Sequence, residues 1–164
     1  MQKVIDMEEV RAGYETFMEN KKSLMLSLVD EVGNPFSSIA ACVQIDGKFY
    51  VYISKIAEHY ALLERAQVVD VLLIADEVAT QNHFATERAR LQCMPKLLND
   101  EGNEEVFAKF DEVHNAALMK LLRTLDFSLF ELAPTKGRYV IGFGKAFDID
   151  IAEDTMTHVV IDKK

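Results

Sequence analysis

Hydrophobic and polar residues alternate with a period of two over much of the chain, which predicts β-strands. One run, Val71–Ala75, is apolar throughout, so we expect it to be buried on both faces or to lie at a subunit contact. Pro95 is expected to disrupt the strand before it or to confine it to a sheet edge. The pattern predicts strands over Ser23–Val29, Ser37–Gln44, Phe49–Ser54, Val71–Ala75, Glu87–Met94, Asp126–Leu132 and Gly137–Phe147.

Turn residues separate these strands. Gly33-Asn34-Pro35 and Asp46-Gly47 connect the first three, which indicates an antiparallel meander. The tetrapeptide Pro134-Thr135-Lys136-Gly137 predicts a turn between the last two strands. The C-terminal tail, residues 148–164, is acidic at first and then favours β-structure at Val159–Ile161.

A second periodicity, with apolar residues three and four positions apart, predicts helices over Met7–Lys22 and Glu104–Leu122. A shorter helix is predicted over Ala57–Ala66. On the first helix, Val10, Tyr14, Phe17 and Met18 share one face. The apolar stripe of the longest helix consists of Phe107, Phe110, Val113, Ala117, Leu118, Leu121 and Leu122.

Short strands dominate and do not alternate regularly with helices, which favours a mainly β (α+β) antiparallel barrel with peripheral helices. We expect one domain over residues 1–164. Its parts would be an N-terminal helix over residues 1–22, a barrel core over 23–149 that includes the helix 104–122, and a C-terminal tail over 150–164.

Charge and composition narrow the function. The net charge of −9 and the isoelectric point near 4.9 disfavour nucleic acid and anionic membranes as partners, because no excess of cations is available to neutralise their anionic groups. We see neither a secretory signal nor an apolar run long enough to span a bilayer, and expect a soluble cytoplasmic protein. Cys42 and Cys93 are interpreted as small buried hydrophobic residues in a reducing compartment.

Common catalytic motifs are absent: there is no glycine-rich phosphate loop, Cys-x-x-Cys, His-Glu-x-x-His or Gly-x-Ser-x-Gly. Gly142-Phe143-Gly144 has no helix behind it, so these glycines are interpreted as places where a strand bends or the backbone passes close to another group. Asp76 and Glu77 are adjacent on a strand end and therefore point to opposite faces, which argues against a catalytic pair. We expect them to pair with Arg88 and to cap the next turn.

Four segments, in order, resemble the haem-utilisation (HutZ/HugZ-type) branch of the pyridoxamine 5'-phosphate oxidase-like, FMN-binding split barrels. The similarity runs from about residue 23 to about residue 149, and the order and spacing of the four segments carry it together. They are Ser54 with Ala57-x-His59; Ile74-x-Asp76-Glu77 with Phe84-Ala85-x-x-Arg88; Asp126-Phe127-x-Leu129-Phe130-x-Leu132; and Gly142-Phe143-Gly144-x-Ala146-Phe147.

The resemblance implies a split β-barrel that forms a homodimer and holds haem or FMN at the dimer seam. The matching positions imply that His59, Arg88, Ser54 and Lys55 hold a propionate or phosphate of the cofactor. A guanidinium offers a planar fork for such an anion, and a second arginine, Arg90, shares its strand face. The alternative interpretations are structural: a helix-surface histidine, and a solvated arginine paired with an acid. Serine hydroxyls at Ser37 and Ser38 are further donors.

In the haem-degrading members of this family a histidine of the C-terminal tail ligates iron. The tail here ends THVVIDKK, and its histidine, His158, falls several residues before that position. His158 and His83 are therefore the candidate iron ligands, and His114 is interpreted as a solvated or paired helix residue. Asp126 matches an aspartate that orients the ligand histidine across the dimer; otherwise it is a turn residue at a strand start.

Three functions are compatible with these residues. The first is a haem-binding, haem-utilisation protein, with oxygen-dependent haem degradation as its activity. The second is an FMN-binding oxidoreductase, in which the same residues would hold the flavin phosphate. The third is a cofactor-free dimeric binding module. We expect no nucleic-acid or membrane partner in any of the three.

Overall fold

The computed structural model describes residues 4–160, which form eight strands and four α-helical segments. The strands are β1 (Ser23–Val29), β2 (Pro35–Ile45), β3 (Lys48–Ser54), β4 (Val69–Ile74), β5 (Arg88–Leu98), β6 (Phe127–Gly142), β7 (Lys145–Asp150) and β8 (Thr155–His158). The helices are α1 (Met7–Glu19), α2 (Glu58–Arg65), α3 (Glu104–Phe110) and α4 (Ala116–Leu122), with a 3-10 turn at His83–Ala85 and a π-helical turn at Asp111–Asn115.

All strands belong to one antiparallel sheet of order β3-β2-β1-β4-β5-β6-β7-β8. A further pairing between β3 and the first half of β6, from Phe49↔Leu132 to Ser54↔Phe127, closes the sheet into a barrel. The mainly β barrel expected from the alternating pattern is confirmed. No helix within residues 4–160 is long and apolar enough to cross a lipid bilayer.

Two apolar cores lie on opposite sides of the sheet. The barrel interior is filled by alternate side chains of the strands, among them Leu26, Val71, Leu91 and Phe130, and α1 and α2 add to it. The second core lies on the outer surface, where α3, the π turn and α4 cover β2, β3 and the start of β6. It contains Val43, Tyr50, Tyr52, Leu129, Val106, Phe107, Phe110 and Met119.

Both cysteines lie in the interior, as predicted. Burial raises the pKa of each thiol to about 12, because a thiolate there would lose its hydration. The thiols of Cys42 and Cys93 therefore stay protonated at neutral pH and behave as small hydrophobic groups.

The predicted turn at residues 134–137 is wrong: β6 runs without interruption from Phe127 to Gly142. On one side of β6, the pairing with β3 stops at Leu132 and the pairing with β7 starts at Lys136. Pro134 lies between them, so no hydrogen bond from its nitrogen is needed on that side. On the other side, a bulge at Thr135 shifts the register of β6 against β5. The reversal occurs later, at Gly142–Gly144, where both glycines have positive φ.

The long helix is correctly placed, but Ala117, Leu118 and Leu121 of its predicted apolar stripe are exposed, whereas Leu122 packs against the outer core. The π turn at Asp111–Asn115 adds a residue to one helical turn and so rotates the C-terminal half of the helix by about 100°. Met119 is consequently buried, while Leu118 and Leu121 face solvent. The first helix also ends earlier than predicted, at Glu19, because Asn20 caps it before β1 begins.

Pro95 lies within β5, at the part of this strand that has a neighbour on one side only. Beyond Cys93, which pairs with Val69, β4 has ended, and Pro95 pairs with Leu132 of β6 alone. Pro95 therefore lies at a sheet edge, one of the two outcomes predicted for it. The tail adds β8 to the sheet edge at Thr155–His158, earlier than predicted; of the predicted β-prone residues, Ile161 lies outside the described part of the chain.

Candidate functional site

Part of the outer barrel surface has no helix over it within residues 4–160. The helices α3 and α4 pack on β2 and β3, whereas the outer side chains of β1, β4 and the first half of β5 remain accessible. The run Val71–Ala75 is therefore not buried on both faces: Val71 and Leu73 lie in the core, and Leu72 and Ile74 face outward. We call this surface, across β2, β1, β4 and the start of β5, the platform.

The middle of the platform is apolar. Ile39 pairs with Met25 across β2 and β1, and Met25 pairs with Leu72 across β1 and β4. Directly paired residues of an antiparallel sheet point to the same face, so these three side chains form one row. Ile39 is 65% exposed and Ile74, at the end of β4, is 44% exposed, which is unusual for isoleucine in a strand.

Small side chains flank this row on β1 and β2, whereas Asp70 and Ile74 flank it on β4. Ser27 and Ser37 form the neighbouring cross-strand pair on one side of it, and Ser23 and Ala41 form the pair on the other side. Because these residues project little from the sheet, the platform is shallow. A cavity of about 390 Å³ lies above Met25, Ile39, Leu72 and Ile74, and charged residues of both signs bound it: Lys21, Lys22, Asp76 and Glu77.

Arginines border the platform. Arg88 is the cross-strand partner of Ile74, and its Nη1 donates to the Thr86 carbonyl at 2.8 Å. Within residues 4–160 the Arg88 guanidinium has no carboxylate partner, so the predicted pairing with Asp76 or Glu77 does not form. Arg90, by contrast, is paired with Asp70 at 2.8 Å. Of these two arginines, Arg88 is therefore the one that remains available to a ligand anion.

A second polar group lies at the turn from β3 to α2. The Ser54 hydroxyl donates to the Asp126 carboxylate, with Oγ 3.0 and 3.1 Å from its two oxygens. The backbone N–H of Lys55 donates to the Asp126 carbonyl at 2.9 Å. Asp126 thus holds the turn against the start of β6, which is the structural role considered for it. The Lys55 side chain is exposed and has no ion-pair partner in the described part of the chain.

His59 lies on α2, on the inner side of β2, where its Nδ1 is 2.6 Å from the Ser38 hydroxyl oxygen. Partial burial lowers the pKa of the imidazole, because the charged form is desolvated there. The residues implied by the resemblance thus separate into Arg88 on the platform and Ser54, Lys55 and His59 around the turn into α2. The structure shows no contact between Arg88 and this second group.

The other histidines lie away from the platform. His158 pairs with Phe147 in the sheet, its ring packs on that phenylalanine, and its Nε2 is 2.8 Å from the Gly144 carbonyl oxygen. Since Phe147 is fully buried, His158 is on the inner side of the sheet. His114, in the π turn, contacts the Cys42 carbonyl oxygen through Nε2 at 2.9 Å, and His83 is exposed on the connection between β4 and β5.

The acidic residues near Arg88 are structural. Asp76 accepts from the Val78 N–H and so caps the next turn, as predicted. Glu87 points inward and accepts a hydrogen bond from the hydroxyl of buried Tyr139. That hydrogen bond holds the side chain of Glu87, the residue before Arg88, on the inner side of the sheet. The sequence pattern did not predict it.

The apolar residues of the platform were not predicted either. The sequence pattern does not distinguish Met25, Ile39 and Leu72 from other strand residues. Only the register of the three strands shows that they are neighbours. One signal was available: in Ser23–Val29 the residues facing away from the core are serine, methionine, serine and valine, an unusual choice for a freely solvated face.

No protein-family model matches the chain. It is 32% identical over 135 residues to heme oxygenase HutZ of Vibrio cholerae, an alignment that covers 81% of this chain and 77% of that protein. The crystal structure of HutZ from Vibrio cholerae, described as a heme storage protein, superposes with a TM-score of 0.73 at 28% identity, covering 80% of this chain and 96% of that one.

The fold agreement extends further in the crystal structure of Campylobacter jejuni ChuZ. Its TM-score is 0.88 at 24% identity, over 99% of this chain and 68% of that one. At 24% identity, this structural similarity shows that the two proteins share a fold. Taken with the identity to HutZ, it shows that the chain belongs to the HutZ-type branch of the FMN-binding split-barrel superfamily.

Proposed function

We propose that this protein binds haem on the platform, as a homodimer in which the second subunit covers the bound group. One observation carries the proposal: an apolar cross-strand row, Ile39–Met25–Leu72, lies open beside Arg88, an arginine without a carboxylate partner in residues 4–160. Haem needs these two features together, because it combines an apolar plane with two carboxylates.

The dimensions of the platform suit a planar ligand. Neighbouring strands lie about 4.8 Å apart, so the row from Ile39 to Leu72 spans two spacings, or about 10 Å. On β1 and β2 the small residues beside the row, such as Ser23 and Ser27, leave the surface free of long side chains, and the Arg90–Asp70 ion pair borders it on β4 and β5. A flat macrocycle could therefore lie against three strands at once.

Each residue of the proposed site has a defined task. Arg88, held by the Thr86 carbonyl, would bind a propionate with the remaining donors of its fork. Lys55 offers an exposed ammonium, and Ser54 and His59 offer polar atoms already engaged by Asp126 and Ser38. These three residues lie apart from Arg88, with His59 on the inner side of the sheet, so we assign them to a separate anion site and leave the propionates of haem on the platform to Arg88. When bound, the iron porphyrin supplies the oxygen chemistry, and the chain supplies orientation and shelter from water.

The homodimer is part of the same proposal. The platform leaves Ile39 and Ile74 exposed, and a second copy would remove them from water. Next to it the sheet carries two ion pairs, Arg90–Asp70 and Arg138–Asp148, whose arginines are cross-strand partners.

The relatives support haem over flavin, since HutZ is described as a heme protein both as an enzyme and in its crystal structure. FMN remains the alternative ligand, because its phosphate could use Arg88 and its ring could occupy the same platform. A dimer without any cofactor is the third function still open.

The experiment is a pair of titrations of the purified protein, one with ferric haem and one with FMN, each followed by absorption and gel filtration. A saturable Soret band at one haem per protomer that survives gel filtration is expected. Retained flavin with only nonspecific haem uptake would replace haem by FMN, and binding of neither would leave the cofactor-free module. Adding oxygen and ascorbate to the haem complex then tests degradation, which would appear as loss of the Soret band.

A further inference from the structure

The platform has a methionine at its centre. We propose that the thioether of Met25 is this protein's own ligand to haem iron, on the face of the macrocycle that lies against the sheet. The inference rests on the proposed haem function and adds to it the identity of the iron ligand.

Met25 is the middle residue of the apolar row, paired with Ile39 on one side and Leu72 on the other. Its neighbours along β1 on the same face are Ser23 and Ser27, which are too short to cover it. Any planar group centred on this row therefore has its centre above Met25, while the arginine of the platform lies at the edge.

Few other side chains of the right chemistry could reach iron on this surface. Haem proteins use histidine, cysteine, methionine or tyrosine. Within residues 4–160, His59 and His158 lie on the inner side of the sheet, His114 is in the π turn, and His83 is beyond the end of β4. Both cysteines are buried in the interior.

The tyrosines are likewise absent from the platform in the described part of the chain. They lie under the helices or in the barrel interior, at Tyr14, Tyr50, Tyr52, Tyr60 and Tyr139. Among the methionines, Met94 also faces outward, but it lies beyond the end of β4, where the three-strand row no longer exists. Met25 is thus the platform's own donor of a type that binds iron.

The chemistry of a thioether suits this position. A thioether carries no ionisable proton. A histidine ligand needs a hydrogen-bond partner that sets its tautomer, and a methionine ligand does not. Methionine has three rotatable bonds, which let the sulfur adjust its height above the sheet. As a soft ligand it favours ferrous iron and raises the reduction potential relative to harder ligands.

The test uses the whole protein loaded with ferric haem. Met25→Leu removes the sulfur at nearly constant volume, and Met94→Leu is the matched control on the same outer surface. The spectrum of the ferric complex, its sulfur-to-iron charge-transfer band and the midpoint potential of the bound haem are measured for all three proteins. Circular dichroism and thermal unfolding establish that both variants are folded.

We expect the wild type and Met94→Leu to show the charge-transfer band, and Met25→Leu to lose it and to bind haem with a lowered midpoint potential. A Met25→Leu complex with the spectrum and potential of the wild type would overturn the assignment, as would a wild-type haem complex without the thioether band. Failure of the wild type to bind haem would instead remove the proposed function, and the iron ligand with it.

Discussion

His59 Nδ1 lies 2.6 Å from the Ser38 hydroxyl oxygen, which ties α2 to the inner side of β2. Desolvation lowers the pKa of this imidazole in the folded protein, so folding favours its neutral form. The unfolded chain then binds more protons near the unfolded pKa of about 6.5. The stability that depends on neutral His59 is therefore complete above that pH and is lost as pH falls from there through the lowered folded pKa.

We predict that His59→Gln reduces this acid-side loss of stability. The measurement is the free energy of urea unfolding at pH values from about 7.5 down to about 5.5, spanning the unfolded histidine pKa. His83→Gln, at an exposed histidine, serves as the control and should keep the wild-type dependence. An identical pH dependence in the wild type and His59→Gln would show that the Ser38 contact does not couple to protonation.

Arg88→Ala is expected to weaken haem binding at least about tenfold, or about 1.4 kcal/mol, because a charge-assisted contact to a carboxylate is lost. Arg88→Lys should recover part of this loss, since the charge stays but the planar fork does not. Affinities come from the haem titration. Arg11→Ala breaks a surface ion pair with Asp154 at 2.8 Å and should bind haem like the wild type. Unchanged affinity in Arg88→Ala would remove this arginine from the site.

Ile39→Arg tests the proposed subunit contact. A charge at this exposed position, buried without a partner in the dimer, should raise the dimer dissociation constant at least about thirtyfold, or about 2 kcal/mol. Sedimentation velocity over a concentration series measures it. Leu121→Arg places the same charge on α4, where the leucine is 56% exposed, and should not alter assembly. If only the Leu121 variant dissociates, the interface lies on the helices instead.

Two glycines are predicted to respond to alanine with opposite signs. A Cβ at Gly137 would collide with the Arg90 carbonyl and the Leu91 side chain of the neighbouring strand β5, so Gly137→Ala should destabilise the protein by about 1–3 kcal/mol. Gly13 lies in α1 with its nearest neighbour, the Tyr139 hydroxyl, at 3.9 Å from such a Cβ. Gly13→Ala should therefore stabilise by up to about 1 kcal/mol through helix propensity. Urea unfolding decides both, and stabilisation by Gly137→Ala would contradict the observed register.

Local patterns predicted most elements because their causes are local. The first strand, Ser23–Val29, has its predicted bounds since alternating side chains face core and solvent. The Asp46-Gly47 turn forms as expected because both residues adopt the positive φ that a tight hairpin requires. The predicted turn at Pro134 fails for a non-local reason. Proline is tolerated there because it lies between the part of β6 that pairs with β3 and the part that pairs with β7. No local sequence pattern shows which strands are neighbours.

The sequence by itself determined that the protein is an antiparallel barrel with outer helices, that its thiols are buried, and that Arg88 lies near the start of a strand and shares a face with Arg90. These properties follow from periodicity, turn chemistry and the resemblance of four segments. Only the tertiary structure decided that Ile39, Met25 and Leu72 form one apolar row and that the π turn rotates Leu118 outward. Strand register and helical phase depend on packing between distant segments, so the platform exists only when three strands are placed side by side.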